Sequence, residues 1–168
     1  MIETPAWYAI LVRYRHETKV LQNLSAKGIE AFIPQRSMRR QWSDRLKIMQ
    51  VPLFPGYIFC RFDKRHQFLV LNVPGVASIA GDNHGPIEVP ATEVDSLRRL
   101  SEAEVETEQY RYVESGSETV IDEGPLSGMR VFVVNNNGVT EFIKSFHSFK
   151  QSCVIVSMQP KTGRTEKA

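Results

Sequence analysis

The run Val51-Pro-Leu-Phe-Pro-Gly-Tyr-Ile-Phe-Cys-Arg-Phe62 constrains the fold more than any other part of the chain. Pro52 and Pro55 fix φ and remove two backbone donors, which excludes a helix and the centre of a sheet at the turn. Gly56 lets the backbone turn where a Cβ would clash. From there the residues alternate. Tyr57, Phe59 and Arg61 share one face of a strand, and Ile58, Cys60 and Phe62 share the other. The second face suits a core. Two aromatics and a cation are costly on a solvated surface, so the first face reads as a docking surface. The competing reading packs both rings beneath a helix of the same domain, and the residues alone leave both open.

The flanking sequence supplies the partners of this strand. Ala6 to Tyr14 alternates, with Trp7, Ala9, Leu11 and Arg13 on one side and Tyr8, Ile10, Val12 and Tyr14 on the other. A helix follows from about Glu17 to Ala26, with Val20, Leu21 and Leu24 as its apolar stripe and Gly28 as its stop. Ile29 to Ile33 reads as a strand halted by Pro34. Residues 35–50 carry Arg36, Arg39, Arg40, Arg45 and Lys47 around Trp42, and read as a hairpin arm with its tip near Ser43-Asp44. Asp63 to Val73 reads as a second helix with Phe68, Leu69 and Leu71 inside. Val76 to Ala80 and Ile87 to Pro90 read as short strands. Thr92 reads as the cap of a third helix, with Asp95 three residues on and Val94, Leu97 and Leu100 facing inward. Strands and helices mixed in this way predict an α+β domain on an antiparallel sheet, over about residues 4–100.

After Leu100 the composition changes. Residues 101–115 hold Glu102, Glu104, Glu106, Glu108 and Glu114 among few core formers, and read as an acidic linker. A small all-β module is expected over 116–160, opening with Thr119 and Ile121. Gly124-Pro-Leu-Ser-Gly128 makes a tight loop before Val131-Phe-Val-Val134. Val139, Phe142, Ile143, Phe146 and Phe149 recur at helical spacing, which makes a degenerate, incomplete or partly helical module an alternative to a complete barrel. Residues 161–168 read as a disordered polar tail.

The ordered set of Trp7-Tyr-Ala-Ile-Leu-Val12, the helix Glu17 to Gly28, Phe54-Pro-Gly-Tyr57 and Gly124-Pro-Leu-Ser-Gly128 resembles the NusG family of transcription elongation factors, and especially its specialised, RfaH-like antiterminator branch. The resemblance covers roughly residues 5–130. It implies an NGN domain followed by an SH3-like KOW barrel, although Met129-Arg130-Val131 lacks a glycine that the family carries there. It also implies that Phe54, Tyr57 and Phe59 receive the clamp helices of the largest RNA polymerase subunit. His66 then falls, loosely aligned, where a polar motif touches the opposite pincer. Arg13, Arg15, His16, Arg36, Arg39, Arg40, Trp42 and Arg45 would face upstream or non-template DNA, a role that guanidinium charge interleaved with an indole also suits on its own. The bland alternative for these residues is a solvated hairpin. A ribosomal protein of the small subunit, or the termination factor Rho, would be a partner of the C-terminal module, with no residues assigned. In some relatives a helical C-terminal module masks the polymerase-binding face.

Composition limits the remaining classes. A net charge of +2 makes any nucleic-acid binding a matter of a local patch. Cys60 and Cys153 are too few for a disulfide framework, match no metal spacing and sit in apolar runs. No phosphate loop, nucleophile elbow or HExxH is present, so no enzyme, cofactor or metal is expected. With no apolar run of about 20 residues and no basic-then-apolar start, the expectation is a cytoplasmic monomer without membrane contact. The rival reading is a stand-alone KOW-type RNA-binding or ribosome-associated module.

Overall fold

The computed structural model of the chain describes residues 4–103 and 105–156. The predicted tail at 161–168 lies outside them. The first unit is built on β1 (Ala6–Val12), the central strand, which pairs antiparallel with β5 (Tyr57–Phe62) on one side and β6 (Val76–Ile79) on the other. Beyond β5 lies β2 (Glu30–Phe32), and β9 (Glu88–Val89) also pairs with β1. Helices α1 (Glu17–Ala26) and α2 (Gln67–Leu71) cover one face of this sheet. There Val20, Leu24, Val70 and Val73 bury Tyr8, Ile10, Ile58, Cys60 and Phe62, so the alternation of β1 and β5 is realised as expected.

The other face of the sheet, with Ala9 and Phe59, meets α3 (Ala91–Glu102) through Val94, Leu97 and Leu100. Two details of the helices differ from the sequence reading. Phe68, Leu69 and Leu71 are exposed while Val70 is buried. The segment divides into a 3-10 turn at Lys64–His66 and a five-residue helix, too short for a continuous stripe, and its phase turns only Val70 inward. Thr92 lies inside α3, which starts one residue after Pro90 and has no side-chain cap. A proline before the first turn, locked at φ −59°, starts the helix without one.

Between β2 and β5 the chain leaves the sheet as the ribbon β3 (Gln35–Gln41) and β4 (Leu46–Pro52), whose seven cross-strand pairs run from Gln35↔Pro52 to Gln41↔Leu46. Its tip lies at 43–45, as the sequence suggested. A second small ribbon joins β7 (Gly81–Asp82) to β8 (Gly85–Pro86).

The second unit is an antiparallel sheet in the order β10-β14-β13-β12-β11, made of β10 (Thr107–Tyr110), β11 (Glu118–Val120), β12 (Arg130–Asn136), β13 (Val139–Phe146) and β14 (Gln151–Ile155). The stretch read as a linker therefore contains the end of α3 and an outer strand, with Thr107 buried against Ile155. Of its acids Glu108 lies in that strand, where it is exposed, and Glu102 ends α3. The helical spacing over 139–149 resolves as strand to Phe146 and then as a turn that carries Phe149. Ile143 packs into one cluster with Val113, Phe132 and Val154, while Phe142 and Phe146 join the α3 cluster on the opposite side. A strand covered on both faces loses its period of two.

Candidate functional site

The Pro-Gly turn is held from both sides. Gly56 adopts φ +88°, and its N–H donates to Oε2 of Glu17 at 3.0 Å. The carbonyl of Gly56 accepts from Val12 N at 2.9 Å. Glu17 is buried although it stands in the first turn of α1. This pins the start of β5, so that Phe54, Tyr57 and Phe59 present their rings to one side.

That side is not open. The four-residue turn His147–Lys150 between β13 and β14 brings Phe149 into the group. Phe149 lies 5.6 Å from Phe54, 5.6 Å from Tyr57 and 4.9 Å from Phe59, ring centre to ring centre. Phe146 stacks on Phe149 at 5.4 Å and meets Phe54 edge-on at 5.7 Å. Phe59 is 0% and Phe54 1% exposed, and Tyr57 is half-buried with its hydroxyl 3.4 Å from Gln151 Nε2. Burial pushes the Tyr57 phenol above its ordinary pKa, against the opposing effect of the Gln151 bond. Burying a phenylalanine contributes about 1.5–3 kcal/mol, and edge-on and offset ring pairs add roughly 0.5–1.5 kcal/mol each. The second unit is thus seated on the very face that the sequence singled out.

Polar contacts surround this seat. Both carboxylate oxygens of Glu93 accept bonds from the β13–β14 turn, one from His147 N at 2.7 Å and one from the Ser148 hydroxyl. Nη2 of Arg99 donates to the carbonyls of Pro125 and Ser127 at 2.9 and 2.6 Å. Sequence reasoning missed Glu17, Glu93, Arg99 and Phe149. An acid in the first turn of a helix is ordinary, and nothing local distinguishes one that bonds across the molecule.

The expected nucleic-acid residues divide into three groups. Arg36 is turned toward the second unit. Its Nη1 donates to Thr107 O at 3.2 Å, and its Nε and the Thr107 hydroxyl are buried without a partner among the described residues. Across the ribbon Arg40 stands opposite Lys47, and Lys47 Nζ lies 5.0 Å above the ring of Trp42, which is 47% exposed. Arg39 stands opposite Ile48, on the other face from Arg40, since neighbours on a strand point oppositely. Arg45 is exposed at the tip, where its carbonyl accepts from Trp42 N. Arg13, Arg15 and His16 are exposed where β1 leaves the sheet, at the same end from which the ribbon departs. The Arg15 guanidinium lies 5.2 Å over Tyr14.

His66 is not brought to the aromatic group. It ends the 3-10 turn beyond the far end of β5, a strand that itself spans roughly 17 Å from Tyr57 to Phe62 at about 3.3 Å per residue. Its ring meets the exposed Phe68 at 6.4 Å. Asp63 caps that turn, and the Arg65 bonds hold its carboxyl at about 2.

Cys60 and Cys153 are buried, and desolvation pushes both thiols to about 12. Among the described residues no group of histidine, cysteine and acids is placed to hold a metal ion, and no helix is long and apolar enough to cross a membrane.

Fold and site together define a two-unit α+β protein, whose antiparallel sheet presents an aromatic face to a smaller all-β unit. The family described as "Transcription termination factor nusG" matches residues 5–98, more than half of the chain, and the chain belongs to it. It is therefore a member of a transcription-factor family whose proteins bind RNA polymerase. A solved structure titled "Domain interaction in Thermotoga maritima NusG" shares the fold, with a TM-score of 0.55 at 22% identity over 90% of this chain and 93% of that one. No curated protein matches the chain.

Proposed function

We propose that the protein is a transcription elongation and antitermination factor that binds the clamp helices of RNA polymerase through Phe54, Tyr57 and Phe59, and that this structure is its closed form. One observation carries the reading. The aromatic face is covered by Phe146 and Phe149 of the second unit, an apolar plug that another apolar surface can replace. A helix pair laid into such a face is an ordinary mode of recognition, with aromatic rings as anchors. The bound factor would favour the closed, processive polymerase because it binds that conformer better than the paused one. His66 would meet the opposite pincer, and the basic residues of the β1 end and of the ribbon, Arg36 excepted, would meet the DNA. A plug in the resting state gives the factor the character of a specialised, RfaH-like regulator, with a β-structured plug here.

Closure lowers apparent affinity by the fraction of open molecules. Opening variants should therefore bind more tightly. After nuclease treatment, immobilised Phe149→Asp protein should retain more RNA polymerase than the unaltered chain, and adding Tyr57→Ala should abolish the gain. If neither the unaltered chain nor Phe149→Asp retains polymerase, the proposal fails. Retention of RNA alone would favour the rival RNA-binding module.

A further inference from the structure

Apolar contact explains why the second unit adheres, but not what orients it. Apolar burial is non-directional, whereas a charge-assisted hydrogen bond is both strong and directional. Helix α3 provides two such holds on the second unit. Both carboxylate oxygens of Glu93, in the first turn, accept from His147 N and the Ser148 hydroxyl, which open the turn carrying Phe149. Arg99, about 9 Å further along the helix, holds the separate loop at Pro125 and Ser127. Glu93 is only 9% exposed, so its carboxylate is largely sheltered in the closed form. Its position at a helix N-terminus supports the negative charge.

We infer that Glu93 is the latch of the closed form. Its carboxylate holds the His147–Ser148 turn in place and so keeps Phe149 in the aromatic face. The inference rests on the reading of this structure as a closed form. When the second unit leaves, the carboxylate returns to water and the freed N–H and hydroxyl find water too. The latch thus releases without stranding a buried charge. Any negative group placed at position 148 would meet the Glu93 carboxylate directly and disfavour closure.

The test uses the full chain. Hydrogen exchange is read over residues 53–59 and 145–151, with residues 20–24 of α1 as an internal measure of overall stability. Glu93→Ala should speed exchange in the first two stretches on the order of a hundred- to ten-thousand-fold, the scale of losing two bonds to a charged group, and leave 20–24 unchanged. Ser148→Asp should do the same by repulsion. Glu93→Gln offers one acceptor oxygen and turns its amide toward a donor, so it should fall between Glu93→Ala and the unaltered chain. Thr92→Ala should change nothing. Unchanged exchange at 53–59 in both Glu93→Ala and Ser148→Asp overturns the inference. So does equal acceleration at 20–24 in both, which would mark a merely structural residue. If these variants open but retain no RNA polymerase, the latch stands and the polymerase-binding reading falls.

Discussion

At the scale of single residues, the Pro-Gly turn shows how much one backbone conformation decides. A Cβ on Gly56 would meet Val12 O only at 3.8 Å, so space is not limiting there. The constraint is φ +88°, which costs an L-residue roughly 1–2 kcal/mol. Gly56→Ala should therefore lower the unfolding free energy by about that amount, read from the urea midpoint. A loss below a few tenths of a kcal/mol would show that the turn relaxes. The need for this glycine was legible in the sequence. The buried carboxylate of Glu17 that receives its N–H was not, because that bond links residues 39 apart. The rings of Tyr57 and Phe59 were also identified correctly as one face of a strand, but what covers them lies some ninety residues further along and leaves no local sign.

At the scale of elements, strands with one clear pattern were easy to place. β1, β5 and α1 carry clean periodicity, and the chain realises it. Elements covered on both sides were harder. The apolar residues of β13 serve two cores and imitate helical spacing, and only the pairing Phe132↔Ile143 and Ile143↔Val154 settles it as a middle strand. The basic ribbon was recognisable as an element, but not its division. A two-residue side-chain period puts Arg40 and Lys47 on one face and Arg39 on the other, while Arg36 is drawn into the junction between the units. This gives a sharp expectation for titrations of a DNA bubble. Arg40→Ala/Lys47→Ala should reduce the slope of log affinity against log salt by about 1.4–1.8, the value for two lost phosphate contacts. Arg36→Ala should leave that slope unchanged. An unaltered slope in the double variant would remove this face of the ribbon from the DNA.

At the scale of the molecule, the two units share one hydrophobic cluster, with Leu53, Phe54, Phe59 and Leu97 from the first and Leu126, Phe146, Phe149 and Cys153 from the second. Two bodies joined through a common core should melt together. Calorimetry of the unaltered chain is expected to show a single transition. Phe149→Ala removes a ring that touches Phe54, Tyr57 and Phe59. Its cost of about 3–5 kcal/mol should fall largely on the junction and split the trace into two. Two transitions in the unaltered chain would mean that the seam is weak. The strand β10 is drawn from the stretch at 101–115, whose glutamates suggested only solvent.

The aromatic face has one further consequence. If these rings serve a second host after the plug departs, they must fit two shapes in succession. Flat rings suit that task, since edges and faces both make good contacts and small tilts cost little. A branched aliphatic in the same place would be tailored to one neighbour. The chemistry of Phe54, Tyr57 and Phe59 is therefore suited to changing hosts, and replacing them with leucine should trade versatility for a firmer hold on whichever surface fits first.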